Sequence, residues 1–280
     1  MNLLKEKQEV RDIVTQARAR GRSVGLVPTM GYLHEGHLSL VRQARAENDL
    51  VVVSIYVNPT QFGPTEDLGR YPRDLERDLS LCREVGVDIV WNPLEMYDSG
   101  HRTWVVVEEL TERLCGISRP SHFRGVTTVV AKLFGVVRPD RAYFGQKDAQ
   151  QAFVIRRMTQ DLDMGVDIVV CPTIREADGL AMSSRNVYLT PEQRTQAPLL
   201  RRALMAAEEM VATGERRVAT IRARVEEVLA AATLGRIDYV EIVNTQTLQG
   251  VEEIGSESLL ALAVFFGKTR LIDNTILRIS

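Results

Sequence analysis

Cysteine is scarce in this chain: Cys82, Cys115 and Cys171 are the only three in 280 residues. No two share a CxxC spacing and their neighbours are mostly apolar, which favours buried free thiols in a reducing compartment over a disulfide framework or a zinc site. Long apolar runs are missing as well. The longest, such as Leu50–Val57 and Leu259–Phe266, fall far below the ~18 residues of a membrane span. The opening Met1-Asn2-Leu3-Leu4-Lys5-Glu6-Lys7 has no apolar segment of the secretory-signal kind. Neither sign of charge dominates, since 35 basic against 37 acidic residues leave a formal net charge of −2. Without a basic tail or a block of like charges, a nucleic-acid partner is disfavoured, although a local basic pocket stays open. No repeat or low-complexity tract appears. Together these absences read as a cytosolic protein with no membrane and no nucleic-acid partner.

What is present is an ordinary globular composition, 45% apolar and 26% charged, long enough for one large α/β domain or two smaller ones. Short β-branched runs at Ser23–Val27, Leu50–Val57, Val87–Trp91, Ala142–Phe144 and Val166–Cys171 predict buried strands. Helix-period stretches lie between them at His37–Glu47, Arg70–Val85, Gly125–Val137 and Lys147–Leu162. Alternation of this kind predicts a doubly wound, Rossmann-like parallel sheet, with ligands at the carboxyl ends of its strands. After Pro172 the texture changes. Thr190-Pro191-Glu192-Gln193 has the features of a capped helix start, and one helix is expected from there to about Thr213, another over Arg217–Ala232. Strands are expected at Ile237–Val243, Leu259–Phe266 and Arg270–Ile276. The chain thus divides into a domain of residues 1–173 and a smaller α+β domain of 174–280.

The most informative stretch is Val27-Pro28-Thr29-Met30-Gly31-Tyr32-Leu33-His34-Glu35-Gly36-His37, directly after the first expected strand. Two histidines three apart at a helix start share one face, beside unpaired N–H groups and the positive end of the helix dipole. Gly31 and Gly36 allow a backbone to approach closely. The result is an anion site that can donate protons, suited to a phosphate gaining charge during displacement. A metal-binding pair or two solvent-facing rings are the plainer alternatives. The chain holds four histidines in all, and two of them meeting here weigh toward function.

The HxGH pattern resembles that of the nucleotidyltransferase-like class, which includes class I aminoacyl-tRNA synthetases. More closely, the chain resembles the pantothenate synthetase (pantoate–β-alanine ligase) family. The likeness rests on four segments in order: Val27–Gly31 with His34–His37, Val57-Asn58-Pro59-Thr60-Gln61-Phe62-Gly63, Phe144–Gln151, and Arg175–Asn186. It spans most of residues 23–190 and weakens beyond Pro191. One departure stands at Gln146, where many members have an acidic residue.

The resemblance implies that Met30, Gly31, Tyr32, Leu33, His34, Glu35, Gly36 and His37 bind ATP, with Gly145, Gln146, Lys147, Asp148, Ile174, Met182, Ser183, Ser184 and Arg185. It implies that Gln61 touches pantoate and β-alanine and Gln151 pantoate, and that the protein is a homodimer. From the residues alone, Gln61 is equally a loop cap, since a primary amide suits either role. Lys147 at a helix start can hold phosphates and Asp148 a ribose hydroxyl, yet a solvated Lys/Asp pair is the commoner meaning. Ala181-Met182-Ser183-Ser184-Arg185 resembles the mobile KMSKS-type loop of the same superfamily, in an exposed segment with Gly179 as a hinge; alone it is only a loop. Arg119 and His122 can reach a substrate carboxylate or serve helix entry, and Tyr71-Pro72-Arg73 is similarly open. Asp78 is the candidate magnesium ligand. Arg/Glu alternation over Arg201–Glu227 reads as a solvated helix face.

The expected activity is an AMP-forming ligation of pantoate and β-alanine with ATP and magnesium, in the pantothenate pathway. His34 and His37 are expected to carry the phosphorus chemistry, with Lys147, Ser183, Ser184 and Arg185 gathered round the same triphosphate between the two domains. The rival activities are a nucleotidyltransferase on the same fold, a truncated aminoacyl-tRNA synthetase and a nucleotide-sensing module without turnover.

Overall fold

A computed structural model describes residues 1–64 and 66–279. The chain divides into two compact units, one made of 1–146 and 150–172, the other of 147–149 and the chain from Thr173 onward.

The first unit holds six strands: β1 (Asn2–Leu4), β2 (Val24–Thr29), β3 (Leu50–Ile55), β4 (Ile89–Trp91), β5 (Arg141–Gly145) and β6 (Asp167–Cys171). They form one parallel sheet in the order β1-β4-β3-β2-β5-β6. Its helices are α1 (Lys7–Ala19), α2 (Glu35–Glu47), α3 (Leu75–Glu84), α4 (Cys115–Ser118), α5 (His122–Val137) and α6 (Ala149–Asp161). Every residue of β3, Leu-Val-Val-Val-Ser-Ile, is buried, as a strand covered on both faces must be. Strand order reverses between β2 and β5, the place where open α/β sheets leave a crevice for ligands. Pro28 lies beyond the last β2–β5 pair at Leu26, so its missing N–H interrupts no ladder on that side.

The expected strands and helices of this unit are present within a few residues of their sequence-based bounds. Three elements were not expected: β1, α1 and the single turn of α4. The signal for α1 was nevertheless there: Val10, Val14 and Ala17 are its buried residues, and Glu6 with Glu9 forms a capping box.

The second unit is α+β. Its helices are α7 (Pro191–Gln196), α8 (Leu199–Ala212) and α9 (Val218–Ala230). Strands β7 (Gly235–Asn244), β8 (Glu257–Phe266) and β9 (Thr269–Arg278) form an antiparallel sheet in sequence order. Leu204, Ala207, Ile221 and Val225 from the helices pack with Leu260, Leu262 and Val264 in its core. The single helix expected from Thr190 to Thr213 is in fact two. Pro198 becomes the N-cap of α8 because it has no N–H to continue the preceding turn. The Arg/Glu alternation lies on helix surfaces as solvated pairs, among them Arg222–Glu226 and Arg224–Glu227.

All three cysteines are buried. Burial, with Asp78 adding to it, pushes the Cys82 thiol to about 12, and burial pushes Cys171 to about 11. Among the described residues no helix is long and apolar enough to cross a membrane.

Candidate active site

The HxGH segment leaves the carboxyl end of β2 through a tight turn. Gly31 has φ +81°, and a Cβ there would lie 3.0 Å from both Asp78 Oδ2 and Ile55 Cγ2. Tyr32, with φ +49°, also takes the left-handed conformation that favours glycine. Asp78, on α3, holds this turn: its Oδ2 accepts from the Tyr32 N–H at 2.7 Å and its Oδ1 from the Leu33 N–H at 2.7 Å. The carboxyl group is 1% exposed. Burial raises its pKa from the ordinary carboxylate range, while the two main-chain donors and Arg77 oppose that rise.

His34 caps α2. Its Nδ1 accepts from the Gly36 N–H at 3.1 Å, and its own N–H donates to His37 Nδ1 at 3.3 Å. This is a capping box built from imidazoles, with ring centroids 4.1 Å apart. Because both Nδ1 atoms accept, the proton of each neutral ring sits on Nε2. Two Nε2–H donors therefore belong to the first turn of one helix, beside its dipole. Such a pair can stabilise charge building on a phosphate and supply a proton. Glu35, in the same turn, pairs with Arg42, whose hydrogen bond lowers its pKa.

Gln61 ends a 3₁₀ turn, Pro59–Gln61, that follows β3. It is 9% exposed, and Asn58 beside it 1%. The Asn58 Nδ2 donates to Gln61 Oε1 at 3.1 Å and to the Gly125 carbonyl at 3.1 Å. The Gln61 Nε2 lies 3.3 Å from Met30 Sδ, so the Gln61 turn meets the HxGH turn within the first unit. Gly125 of α5 is pressed against the same turn, where a Cβ would come to 2.5 Å from the Thr60 carbonyl oxygen. Arg119 and His122 both turn toward this loop. Tyr71 is 5% exposed and packs edge-on against Phe62 at 5.9 Å, while Arg73 donates to the Tyr71 carbonyl at 3.0 Å; both serve the loop's shape. Gln151 is half-buried on α6. Its neighbour Gln150 is 6% exposed and ties the carbonyls of Leu110 and Arg113 to α6.

The remaining candidates lie in the second unit. Lys147 Nζ is 3.7 Å from Asp148 Oδ1, and the Asn274 side-chain amide donates to the Lys147 carbonyl at 2.9 Å. Gly145 and Gln146, half-buried at the end of β5, lead to them from the first unit. Residues 174–182 form a small hairpin: the Met182 N–H donates to the Ile174 carbonyl at 3.0 Å, and Arg175 pairs with Ala181. The segment is not the exposed one the sequence suggests. Ser184 is 6% exposed, Arg185 is half-buried, and the Ser183 hydroxyl caps a 3₁₀ turn by accepting from the Arg185 N–H. Arg175 grips Asp273 with contacts of 2.6 and 3.0 Å, and Arg194 pairs with Glu176 and Asp178.

The metal reading of Asp78 finds no support in this geometry. Each of its oxygens faces a main-chain N–H, the surroundings of an anchor for the HxGH turn. Among the described residues no three His, Cys, Asp or Glu side chains gather into a metal site.

A family model described as pantoate-beta-alanine ligase matches residues 2–276. The chain belongs to the pantoate–β-alanine ligase family. Its curated relatives include the pantothenate synthetase of Moorella thermoacetica, 59% identical over 282 residues and 100% of both chains. That of Acetivibrio thermocellus is 56% identical over 281 residues, again 100% of both. Among solved structures, pantothenate synthetase from Thermus thermophilus matches with a TM-score of 0.94 at 50% identity, over 98% of this chain and 99% of that one. Pantoate-beta-alanine ligase from Francisella tularensis, complexed with beta-gamma ATP and beta-alanine, has a TM-score of 0.81 at 32% identity, over 99% and 97%.

Membership of the ligase family thus agrees with the resemblance read from the four motifs. Sequence reasoning missed three residues that shape the site: Gly125, Asp78 as an anchor, and Glu66 as the partner of Arg119. Only Gly125 carried a visible signal, a glycine at the head of an otherwise apolar helix.

Proposed function

We propose that the chain condenses (R)-pantoate with β-alanine, using ATP, to give pantothenate, AMP and pyrophosphate. A pantoate carboxylate oxygen attacks the α-phosphorus of ATP, and the bond to the pyrophosphate oxygen breaks. The amine of β-alanine then attacks the carbonyl carbon of the pantoyl adenylate, sheds a proton, and expels AMP. No protein nucleophile takes part, so rate acceleration comes from positioning and from donors aimed at charge on phosphorus.

The observation that carries this reading is the imidazole capping box. The Nδ1 atoms of His34 and His37 are occupied by main-chain donors, which fixes an N–H on each Nε2. Those two donors meet the adenylate phosphate, in a turn where Met30–Leu33 lie against the nucleotide. Gln61 and Gln151 hold pantoate, with β-alanine also against Gln61. Gly145–Asp148, Ile174 and Met182–Arg185 complete the ATP site, where Lys147, Ser183, Ser184 and Arg185 steady the departing pyrophosphate. Magnesium, bound with ATP, would neutralise phosphate charge. Relatives named pantothenate synthetase, matched over their full length, support a ligase of small molecules rather than a tRNA synthetase. A homodimer in the cytoplasm is the assembly and location proposed with this activity.

The decisive experiment is amine dependence. With ATP, magnesium and pantoate, AMP should accumulate only when β-alanine is added, in equal amount with pantothenate. A stable nucleotide product, or AMP release indifferent to the amine, would instead assign the fold to nucleotidyl transfer.

A further inference from the structure

Glu66, Arg119 and His122 form a polar network that the chemistry above leaves unused. Arg119 donates from Nε to Glu66 Oε1 at 2.8 Å and from one terminal nitrogen to Glu66 Oε2 at 2.6 Å. That same nitrogen also donates to the Gln61 main-chain carbonyl at 3.2 Å. The other terminal nitrogen lies 3.1 Å from His122 Nε2, while His122 Nδ1 lies 2.9 Å from the same Gln61 carbonyl. The donors and acceptors here admit one arrangement. A carbonyl can only accept, so Nδ1 carries the proton; a guanidinium can only donate, so Nε2 accepts from Arg119.

Three facts set the direction of the argument. First, Arg119 already has a bidentate carboxylate partner, the strong geometry for a guanidinium, and its side chain is 17% exposed. It is therefore engaged by the protein's own carboxylate rather than presented to a substrate's. Second, a turn as short as Pro59–Gln61 has no helical bonds to hold its last carbonyl, which needs outside donors; Arg119 and His122 supply two. Third, the Gln61 side chain has one firm and one loose end. Its Oε1 accepts from Asn58, but its Nε2 faces Met30 Sδ, and a thioether is a weak acceptor. That amide N–H is readily redirected to a better acceptor.

We propose that Glu66, Arg119 and His122 are positioning residues that clasp the Gln61 carbonyl and so aim its amide N–H at the pantoate carboxylate or hydroxyl. The inference rests on the reading of Gln61 as a pantoate contact. Glu66 orients Arg119, Arg119 and His122 grip the turn, and Asn58 fixes the amide's rotation. The clasp touches no substrate.

The test compares Michaelis constants in the full-length enzyme. Arg119→Met and His122→Leu should each raise KM for pantoate about tenfold, the scale of losing one buried or charge-assisted hydrogen bond, with KM for ATP within about twofold of wild type. In His122→Asn the amide nitrogen replaces Nδ1 and should restore most of the pantoate KM. If Arg119→Met or His122→Leu fails to fold, Glu66→Gln in the more open loop reads the same effect at smaller size. Adding His122→Leu to Gln61→Ala should raise pantoate KM little further, because the clasp acts through Gln61. Equal losses for ATP and pantoate, full additivity, or unchanged pantoate KM in all three clasp variants overturns the proposal. Should Gln61→Ala itself leave pantoate KM unmoved, the role of Gln61 is what fails. If wild type makes no pantothenate, it is the function.

Discussion

The HxGH turn of the first unit and the hairpin at 174–182 of the second are held by opposite kinds of bond. The HxGH turn hangs on hydrogen bonds that are buried or part-buried: Asp78 gripping two main-chain N–H groups, and imidazoles capping α2. The hairpin hangs largely on ion pairs. Of these, Arg175–Asp273 is nearly buried on its acidic side, but Arg194, Glu176 and Asp178 have side chains 30%, 32% and 42% exposed. Buried hydrogen bonds keep their strength when salt is added, while half-exposed charge pairs are screened. A turn proposed to present imidazoles to one phosphate gains from rigidity. The hairpin, by contrast, is held in a way that solution conditions can loosen.

The largest expected effect concerns chemistry. His37→Ala should slow adenylate formation by ~10²–10³-fold, the scale of losing one donor to a charged transition state. Lys147→Ala should do the same. Pyrophosphate release measured in a single turnover decides it, and an unchanged rate in either variant removes that side chain from the reaction.

Next comes the anchor. Asp78→Ala strips the acceptor from two buried N–H groups and should cost about 2–4 kcal/mol of stability in urea unfolding. Adenylate formation should fall along with it. A stability loss with full activity would mean the turn keeps its shape without the carboxylate.

Salt gives a smaller and more selective effect. Raising ionic strength from about 0.05 to 0.5 M shortens the screening length severalfold, so amide exchange at Glu176, Gly179 and Met182 should quicken. Exchange at Tyr32, Leu33 and Gly36 should stay level. Equal responses would erase the contrast between the two segments.

Acid should produce the smallest change, with opposite signs at the two places. The hydrogen bond from Arg194 lowers the Asp178 pKa. Its stabilisation is therefore complete above the usual aspartate value of ~4 and disappears as pH falls through the lower folded value. Burial raises Asp78, so its folded form binds a proton more readily than the unfolded chain, and acidification costs nothing there. From about pH 6 to pH 3 the protection factor, exchange taken relative to the unfolded-chain rate at each pH, should therefore fall in the hairpin before it does in the HxGH turn.

Much of the fold was legible in the residues. The alternating β-branched and helix-period segments gave the parallel sheet, and the change of texture past Pro172 gave the second unit. Pro198, which divides the helix expected from Thr190 to Thr213 into α7 and α8, is a local signal that the expectation did not use. The HxGH motif was legible because its signal is local, with both rings capping the same helix turn. Arg119 and His122 were not. Their neighbours in sequence allow substrate binding or helix entry alike, and the partner on which the proposed clasp is argued, Glu66, lies 53 residues away along the chain from Arg119. The burial of Ser184 was hidden for a similar reason: Ser-Ser-Arg is polar and reads as exposed until the rest of its unit packs over it.

Periodicity, capping residues and glycine placement act over a few residues, so the order of strands and helices and the imidazole pair at the head of α2 were set by the amino acids in line. Which donor meets which acceptor was set in space. Asp78 under the turn, Gly125 against Thr60 and Arg119 on the Gln61 carbonyl each join segments far apart in the chain. A buried polar group takes whatever partner the packing brings within about 3 Å, and no local pattern encodes that distance.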